Sequence, residues 1–398
     1  MSRRHRRRRR VHRHQERLDP ALSPLELARL HRARALSSFP SLRASHERKL
    51  RALRQVAGDP WRNAIEALES VLAADAGNVE AQRGLSVLRA ATEALHSMAA
   101  DPSEGAVATL LVLLEYEGQI ATRPDAPWRR LDLSFHRFQR LPAEIALLTD
   151  VQELDLHGCG LAEIPDELGR MLRLEALHLQ GNRLESVPGA VGELRDLQFL
   201  DLSHNQLREL PEGFSRLCSL QRLYLVGNRF EALPRPVRAL WALRILDVSR
   251  NFLGAIPYWI RELEYLEALE ANDNSLEELP HQIGWLPDLR TLQLNRNRIA
   301  RLPREIGLLS RLEELGLAEN RLRSLPPTIG KLRSLLHLYL QRNQLTSLPP
   351  EVAALPRLEA LFVRGNPLPR ALPLPRSLGR LVRTFPYELG WRPSVQSG

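Results

Sequence analysis

The sequence predicts an α/β solenoid of about eleven units, with parallel strands along a concave face, preceded by an α-helical module. Two observations carry that class. Asparagines stand at 182, 205, 228, 251, 274, 297, 320, 343 and 366, every step being 23 residues. Around each of them the same slots are apolar. In the Asn182 unit these are Leu174, Leu177, Leu179, Leu184, Val187 and Val191, with Pro188 and Gly192 in the outer half; in the Asn320 unit they are Leu312, Leu315, Leu317, Leu322, Leu325 and Ile329, with Pro326 and Gly330. A fixed period in this range marks a stacked repeat architecture, in which one unit cannot bury its apolar face alone.

The chain opens on MSRRHRRRRRVHRHQER. Residues 1–17 carry nine arginines and one glutamate, a net +8. The rest of the chain holds 47 basic and 46 acidic residues, so the overall +9 belongs almost wholly to this tail, assigned to residues 1–19. No apolar segment follows it, so it does not read as a secretory signal. A run this dense in arginine is ordinarily solvated and without regular structure. It would also bind nucleic acid or an acidic surface by counterion release, without reading sequence. A nuclear-import signal is the third reading of the same residues.

Residues 20–125 have helical character. LELARLHRARAL and LRASHERKLRALRQV space leucines at helical intervals with arginines between them. NAIEALESVLAADAGNVEA has small-residue packing and a break near Gly77–Asn78. With its flanks it resembles a tetratricopeptide unit. The resemblance covers one hairpin and lacks the usual proline at the turn, and a helical bundle capping the array fits the residues equally. GAVATLLVLLEYEGQI reads as a third helix, and ATRPDAPW as a linker. ATLLVLLEY is shorter than the ~18 apolar residues that a membrane span requires.

Residues 126–366 form the array. Stepping back by 23 from Asn182 lands on Cys159 and then on His136; the first unit fits with Trp128, Leu131, Leu133, Phe138 and Leu141–Pro142. The xLxLx stretch alternates, which predicts a short strand with leucines inward and the x residues outward. The asparagine comes where the chain leaves the strand. A carboxamide buried there can donate and accept, and so can serve the turns of its own and adjacent units. Cys159, Asn182, Asn205, Asn228, Asn251, Asn274, Asn297, Asn320, Asn343 and Asn366 are therefore assigned to a structural ladder. Cys159 reads as a small buried group and His136 as an edge residue. In the outer half, proline stiffens the return and a short helical turn comes next. Glycine fills the slot of Gly192 in five of ten units, and Ser215, Arg238 and Arg261 stand there elsewhere, so the slot demands no unusual backbone angle.

The pattern LxxLxLxxNxLxxLPxxIGxLxxL resembles the leucine-rich repeat, and its 23-residue LPxxIGxL form is similar to the Ras-suppressor-like repeats of small-GTPase-associated scaffolds. The resemblance implies a horseshoe. It also implies a protein partner, with a small GTPase or its regulator as the suggested client class.

Residues 367–398 break the pattern. PLPRALPLPRSLGRLVRTFPYELGW reads as a C-terminal cap, with Leu378, Leu381, Val382 and Phe385 covering the last unit.

If the leucines, prolines and asparagines are committed to the core, function lies in the variable x positions. The central outward column carries Asp132, Asp155, Asp201, Asp247 and Glu270, and then Tyr339 and Phe362; Phe199, Arg222 and Tyr224 stand mid-array. Exposed aromatics and arginines most often carry interface energy. The candidate protein-binding residues are Phe199, Arg222, Tyr224, Asp247, Arg250, Glu270, Arg296, Tyr339, Arg342, Phe362 and Arg364. LDLS is also a frequent spelling of this strand, so part of the aspartate column is open to a local structural reading. The carboxylates point out in parallel from a solvated face, which argues against a metal site or acid–base chemistry. No GxxxxGK[ST] loop and no Ser/His/Asp or Cys/His arrangement is visible. The two cysteines, 59 residues apart, fit a reducing compartment. The expectation is a cytoplasmic, monomeric, non-enzymatic scaffold without cofactor or metal. The alternative is nucleic-acid or acidic-surface association through residues 1–17.

Overall fold

A computed structural model describes residues 130–369, Arg137 and Gln139 apart, and a few positions between 65 and 90. Two compact units divide at Asp125 and Ala126, and each is taken by itself. The tail, the proposed third helix and the cap residues Leu378, Leu381, Val382 and Phe385 lie outside the described residues.

In the first unit, Ile65, Glu66, Glu69, Leu72 and Ala73 are helical, as are Gln82, Leu85, Ser86, Arg89 and Ala90. Arg89 pairs with Glu69 at 2.8 Å, and Leu85 is buried.

The second unit holds one sheet of eleven three-residue strands, hydrogen-bonded in sequence order. They are β1 (Arg130–Asp132), β2 (Glu153–Asp155), β3 (Ala176–His178), β4 (Phe199–Asp201), β5 (Arg222–Tyr224) and β6 (Ile245–Asp247). Then come β7 (Ala268–Glu270), β8 (Thr291–Gln293), β9 (Glu314–Gly316), β10 (His337–Tyr339) and β11 (Ala360–Phe362). Every pair is parallel, and each residue faces the one 23 positions on, as Leu200 faces Leu223. The repeat period is thus the sheet register. The central leucine of each strand is turned into the core, from Leu131 to Leu361. Each such leucine contributes about 1.5–3 kcal/mol.

Between strands the chain returns through a five-residue 3-10 turn, such as Gly189–Glu193 or His281–Trp285. The preceding proline is extended, with Pro188 at φ −66° and ψ 145°. Proline's fixed φ suits this entry, and it surrenders no amide that the turn would use. At least one apolar side chain per turn is buried, Val191 and Ile283 among them.

The glycine slot of these turns has a steric meaning that its incomplete filling hides. None of Gly169, Gly192, Gly284, Gly307 or Gly330 has a positive φ. A Cβ on Gly192 would run into the carbonyl of Gly213, and one on Gly284 into that of Glu305. Glycine there permits close approach of the next turn. The turns Arg235–Ala239 and Tyr258–Glu262, where Arg238 and Arg261 fill the slot, are the least intimately packed neighbours of the series.

Candidate functional site

The bend out of each strand is built alike in every unit. The residue before each ladder position has a left-handed backbone: Phe135, Gly158, Gly181, His204, Gly227, Arg250, Asp273, Arg296, Glu319, Arg342 and Gly365. Each carries φ between 53° and 78°. At the non-glycine positions this costs about 1–2 kcal/mol, and it turns the next side chain into the core. Asn228 is representative of the ladder. Its Nδ2 donates to the Leu202 carbonyl of the preceding unit at 2.9 Å and to the Leu225 carbonyl of its own at 3.1 Å. Its Oδ1 accepts the Leu207 N–H at 3.1 Å. Asn182, Asn205, Asn251, Asn297, Asn320, Asn343 and Asn366 repeat these three bonds. Asn274 keeps the two that cross to the preceding unit.

Cys159 occupies the same slot. Its thiol donates to the Leu133 carbonyl at 3.0 Å, and burial pushes its pKa up to about 12. A thiol held protonated in this way is a poor nucleophile. His136 places Nδ1 3.0 Å from the Leu133 carbonyl of its own unit, the counterpart of one of the three carboxamide bonds.

The outward residues of β1–β11 form the candidate surface, and the structure sorts them into three stretches. In the first, Phe199 on β4 packs on His178 at 4.6 Å and on Tyr224 at 5.6 Å, with the Arg222 guanidinium 5.1 Å over its ring. The sequence pattern does not single out His178; its register opposite Asp201 and beside Phe199 brings it in. In the last stretch, Tyr339 and Phe362 stack in parallel at 4.8 Å, with His337 6.3 Å from Tyr339. Arg364 stands exposed two residues past Phe362.

The middle stretch, β6 to β9, is polar and low. Gly316 has no side chain, and Gln293 lies in the space that a Cβ there would fill. Gln293 is accordingly 1% exposed although it points to the outward face. Asn295 donates to Gln293 at 2.9 Å and to Asn272 at 2.9 Å, and its Oδ1 accepts the Ala318 N–H at 2.8 Å. With Ser249 accepting the Asn272 N–H at 3.1 Å, these residues form a second, shorter row of bonds along the strand side. Its sequence signal is the recurrence of polar residues at 23-residue steps.

The aspartate column divides. Asp132, Asp155, Asp201 and Asp247 each accept the N–H two residues on, the Asp201 bond to Ser203 being 2.8 Å. These four close a local turn. Glu270 does not; its Oε2 is buried without a hydrogen-bond partner. Burial, and then the neighbouring Asp247 and Glu314, push its pKa up to about 8. Burial raises Asp247 as well, against the Ser249 bonds, and raises the hydroxyls of Tyr224 and Tyr339.

Three candidate arginines fall beside this face. Arg250, Arg296 and Arg342 occupy the left-handed bend. Arg296 lies 3.5 Å from Asp273 and 3.6 Å from Glu319, and Arg342 lies 3.1 Å from Glu319. Arg296 and Arg342 thus alternate in sign with their neighbours along one row, and part of their hydrogen-bonding capacity is already used.

Residues 172–230 and 310–368 match the family described as leucine rich repeat, and residues 150–171 match a second description of the same repeat. The array is built of leucine-rich repeats. It is similar to the crystal structure of a TDR receptor, with TM-score 0.55 and 28% identity, over 60% of this chain and 43% of that one. The chain therefore spans less than half of that receptor chain. It shares its fold with the effector YopM of Yersinia pestis, at TM-score 0.52 and 24% identity over 70% of each chain. A leucine-rich repeat protein of Leptospira interrogans is 31% identical over 59% of this chain and 77% of that chain, at TM-score 0.38. No curated protein matches. Among the described residues, no cluster of three His, Cys, Asp or Glu is placed to hold a metal, and no helix is long and apolar enough to cross a membrane.

Proposed function

We propose that the leucine-rich repeat array is a non-enzymatic recognition module that holds a protein partner across its strand face. The observation that carries this reading is the spacing of the two aromatic groups. Tyr224 on β5 and Tyr339 on β10 are five strand steps apart, about 24 Å at the usual interstrand spacing. Anchors so far apart suit a macromolecule rather than a small ligand. Between them runs the low polar floor of Gln293, Asn295 and Gly316, which leaves room for a partner's side chains. Aromatic and arginine anchors around a polar floor match the composition of protein interfaces. Phe199, Arg222, Tyr224, Tyr339 and Phe362 are the anchors in this reading, with Asp247, Glu270 and Arg364 selecting charge. The scaffold role belongs to the same proposal, and a small GTPase or its regulator is the first client class to test.

The test is affinity capture with the full chain and a Tyr224→Ala/Tyr339→Ala/Phe362→Ala variant. Specific clients held by the parent chain and lost by the variant support the assignment. Clients retained at full strength by the variant remove it. A client lost only when residues 1–17 are deleted, with steep salt dependence, would instead favour the arginine-rich tail.

A further inference from the structure

The most apolar exposed surface among the described residues is not on the strands. Trp241, Tyr258, Tyr265, Trp285 and Leu308 are 57%, 59%, 50%, 45% and 55% exposed. All five fall in or just after the outer turns of four successive units. Trp241 meets Tyr265 edge-on at 6.4 Å, and Trp285 meets His281 at 5.5 Å. Trp285 and Leu308 hold equivalent positions 23 residues apart, so they are neighbours in the stack, and Pro287 beside Trp285 is exposed too. None of these side chains serves the core. Trp259, in the same stretch, is buried and does.

We propose that this aromatic surface is a contact between two copies of this chain, related by a twofold axis. Charge and area both select that occupant. The charges around the aromatics are matched across neighbouring units: Arg238 with Glu262 at 2.6 Å, Arg244 with Glu267 at 2.7 Å, and Arg311 with Asp288. Arg261 lies over the Trp285 ring, 5.5 Å from its centre. A rim of paired charges sets up little repulsion against an identical rim. A lipid headgroup layer or a nucleic acid would call for a cluster of free cations around the aromatics, and here Arg238, Arg244, Arg261 and Arg311 are engaged. An aromatic side chain offers about 150–250 Å² in full, so five half-exposed groups give on the order of 500 Å². A standard interface needs about 800 Å² per partner, a gap that the rim itself can fill. A twofold contact places the same aromatic group opposite itself, which edge-to-face ring pairing accommodates. The contact uses the outer turns and leaves the outward strand residues free for a different protein.

Sedimentation velocity on the full chain decides it. At about 20 µM the parent chain should sediment as a dimer, at twice the 45.3 kDa of one chain. Trp241→Glu/Trp285→Glu should weaken the dimer at least ~100-fold while leaving the thermal transition in place, because both rings are half exposed. Tyr265→Gln/Leu308→Gln is the milder pair, should the first fail to fold. A parent chain that stays monomeric up to about 100 µM overturns the proposal. So does a dimer that both pairs of substitutions leave intact. A monomer whose tryptophan emission resists acrylamide overturns it in favour of cover by another part of the same chain.

Discussion

The bend on the strand side and the turn on the outer side recur together along the array, yet they tolerate variation differently. On the strand side the same three hydrogen bonds recur from Asn182 to Asn366, with one of the three missing at Asn274. On the outer side the glycine slot accepts serine and arginine, and where it holds Arg238 the following turn stands less close. The difference is physical. A buried carbonyl or N–H left without a partner costs its desolvation in full, so the bend has few acceptable side chains. A steric contact between turns can be relieved by a small displacement, and the neighbouring units absorb it. Polar satisfaction is the strict part of this repeat, and close packing is the lenient part.

The sharpest way to break that contrast is in the ladder. Asn228→Leu and Asn320→Leu each orphan one buried N–H and take one of two donors from each of two carbonyls, which keep the bonds of the neighbouring asparagines, and should each lower stability by about 2–4 kcal/mol. Urea denaturation followed by circular dichroism measures this. A uniform loss at both places is expected, since their bonds are alike.

The outer turns should respond unevenly. Gly284→Ala drives a methyl toward the Glu305 carbonyl and should cost about 2 kcal/mol by overpacking. Arg238→Ala, at the equivalent slot two units earlier, should leave the urea midpoint nearly unchanged, since its pair with Glu262 is exposed. Equal effects at both positions would erase the distinction between a glycine that admits its neighbour and an arginine that holds it off.

The strand face adds a pH-dependent case. The folded state raises Glu270 from 4.5 to about 8, so the folded chain binds a proton that the unfolded chain has released over this interval. Stability from this group is therefore present below 4.5 and lost as pH rises toward 8. Asp247, also raised, acts in the same direction. Glu270→Gln should flatten the decline, seen as a smaller drop in urea midpoint across the interval.

The last expected effect is a gain. His204 adopts φ 55°, and asparagine suits that backbone better. His204→Asn should add about 0.5 kcal/mol, read as a rise in Tm.

The strands, the ladder and the outer turns are legible in the sequence because the period fixes them together. Once Asn182 and Asn205 are in phase, Leu177 must face Leu200. The left-handed bend is not legible from its residues. Its slot holds glycine at 158, 181, 227 and 365, but phenylalanine, histidine, arginine, aspartate or glutamate elsewhere. The demand there comes from bringing the next carboxamide inside, not from the residue itself. The candidate arginines 296 and 342 look free in sequence; their partners 273 and 319 sit one register step away, which only the paired strands make adjacent. Gln293 reads as outward and is covered, because its neighbour across the register is Gly316. The aromatic surface from Trp241 to Leu308 is hidden from the period because only Trp285 and Leu308 share a slot of the repeat, and Trp241 meets Tyr265 only when the units are stacked.

The ladder also gives the coil a direction. Each carboxamide reaches back to the unit before it, as Asn366 does to Leu340 and Leu345, and none of these bonds reaches forward. Trimming a unit from the far end would strip backbone groups of their fasteners, whereas trimming one from the near end frees only a side chain that can turn to water. Excision or duplication of whole 23-residue blocks within the array leaves every fastener with a mate, so such a chain can lengthen or shorten by the turn without relearning how to fold.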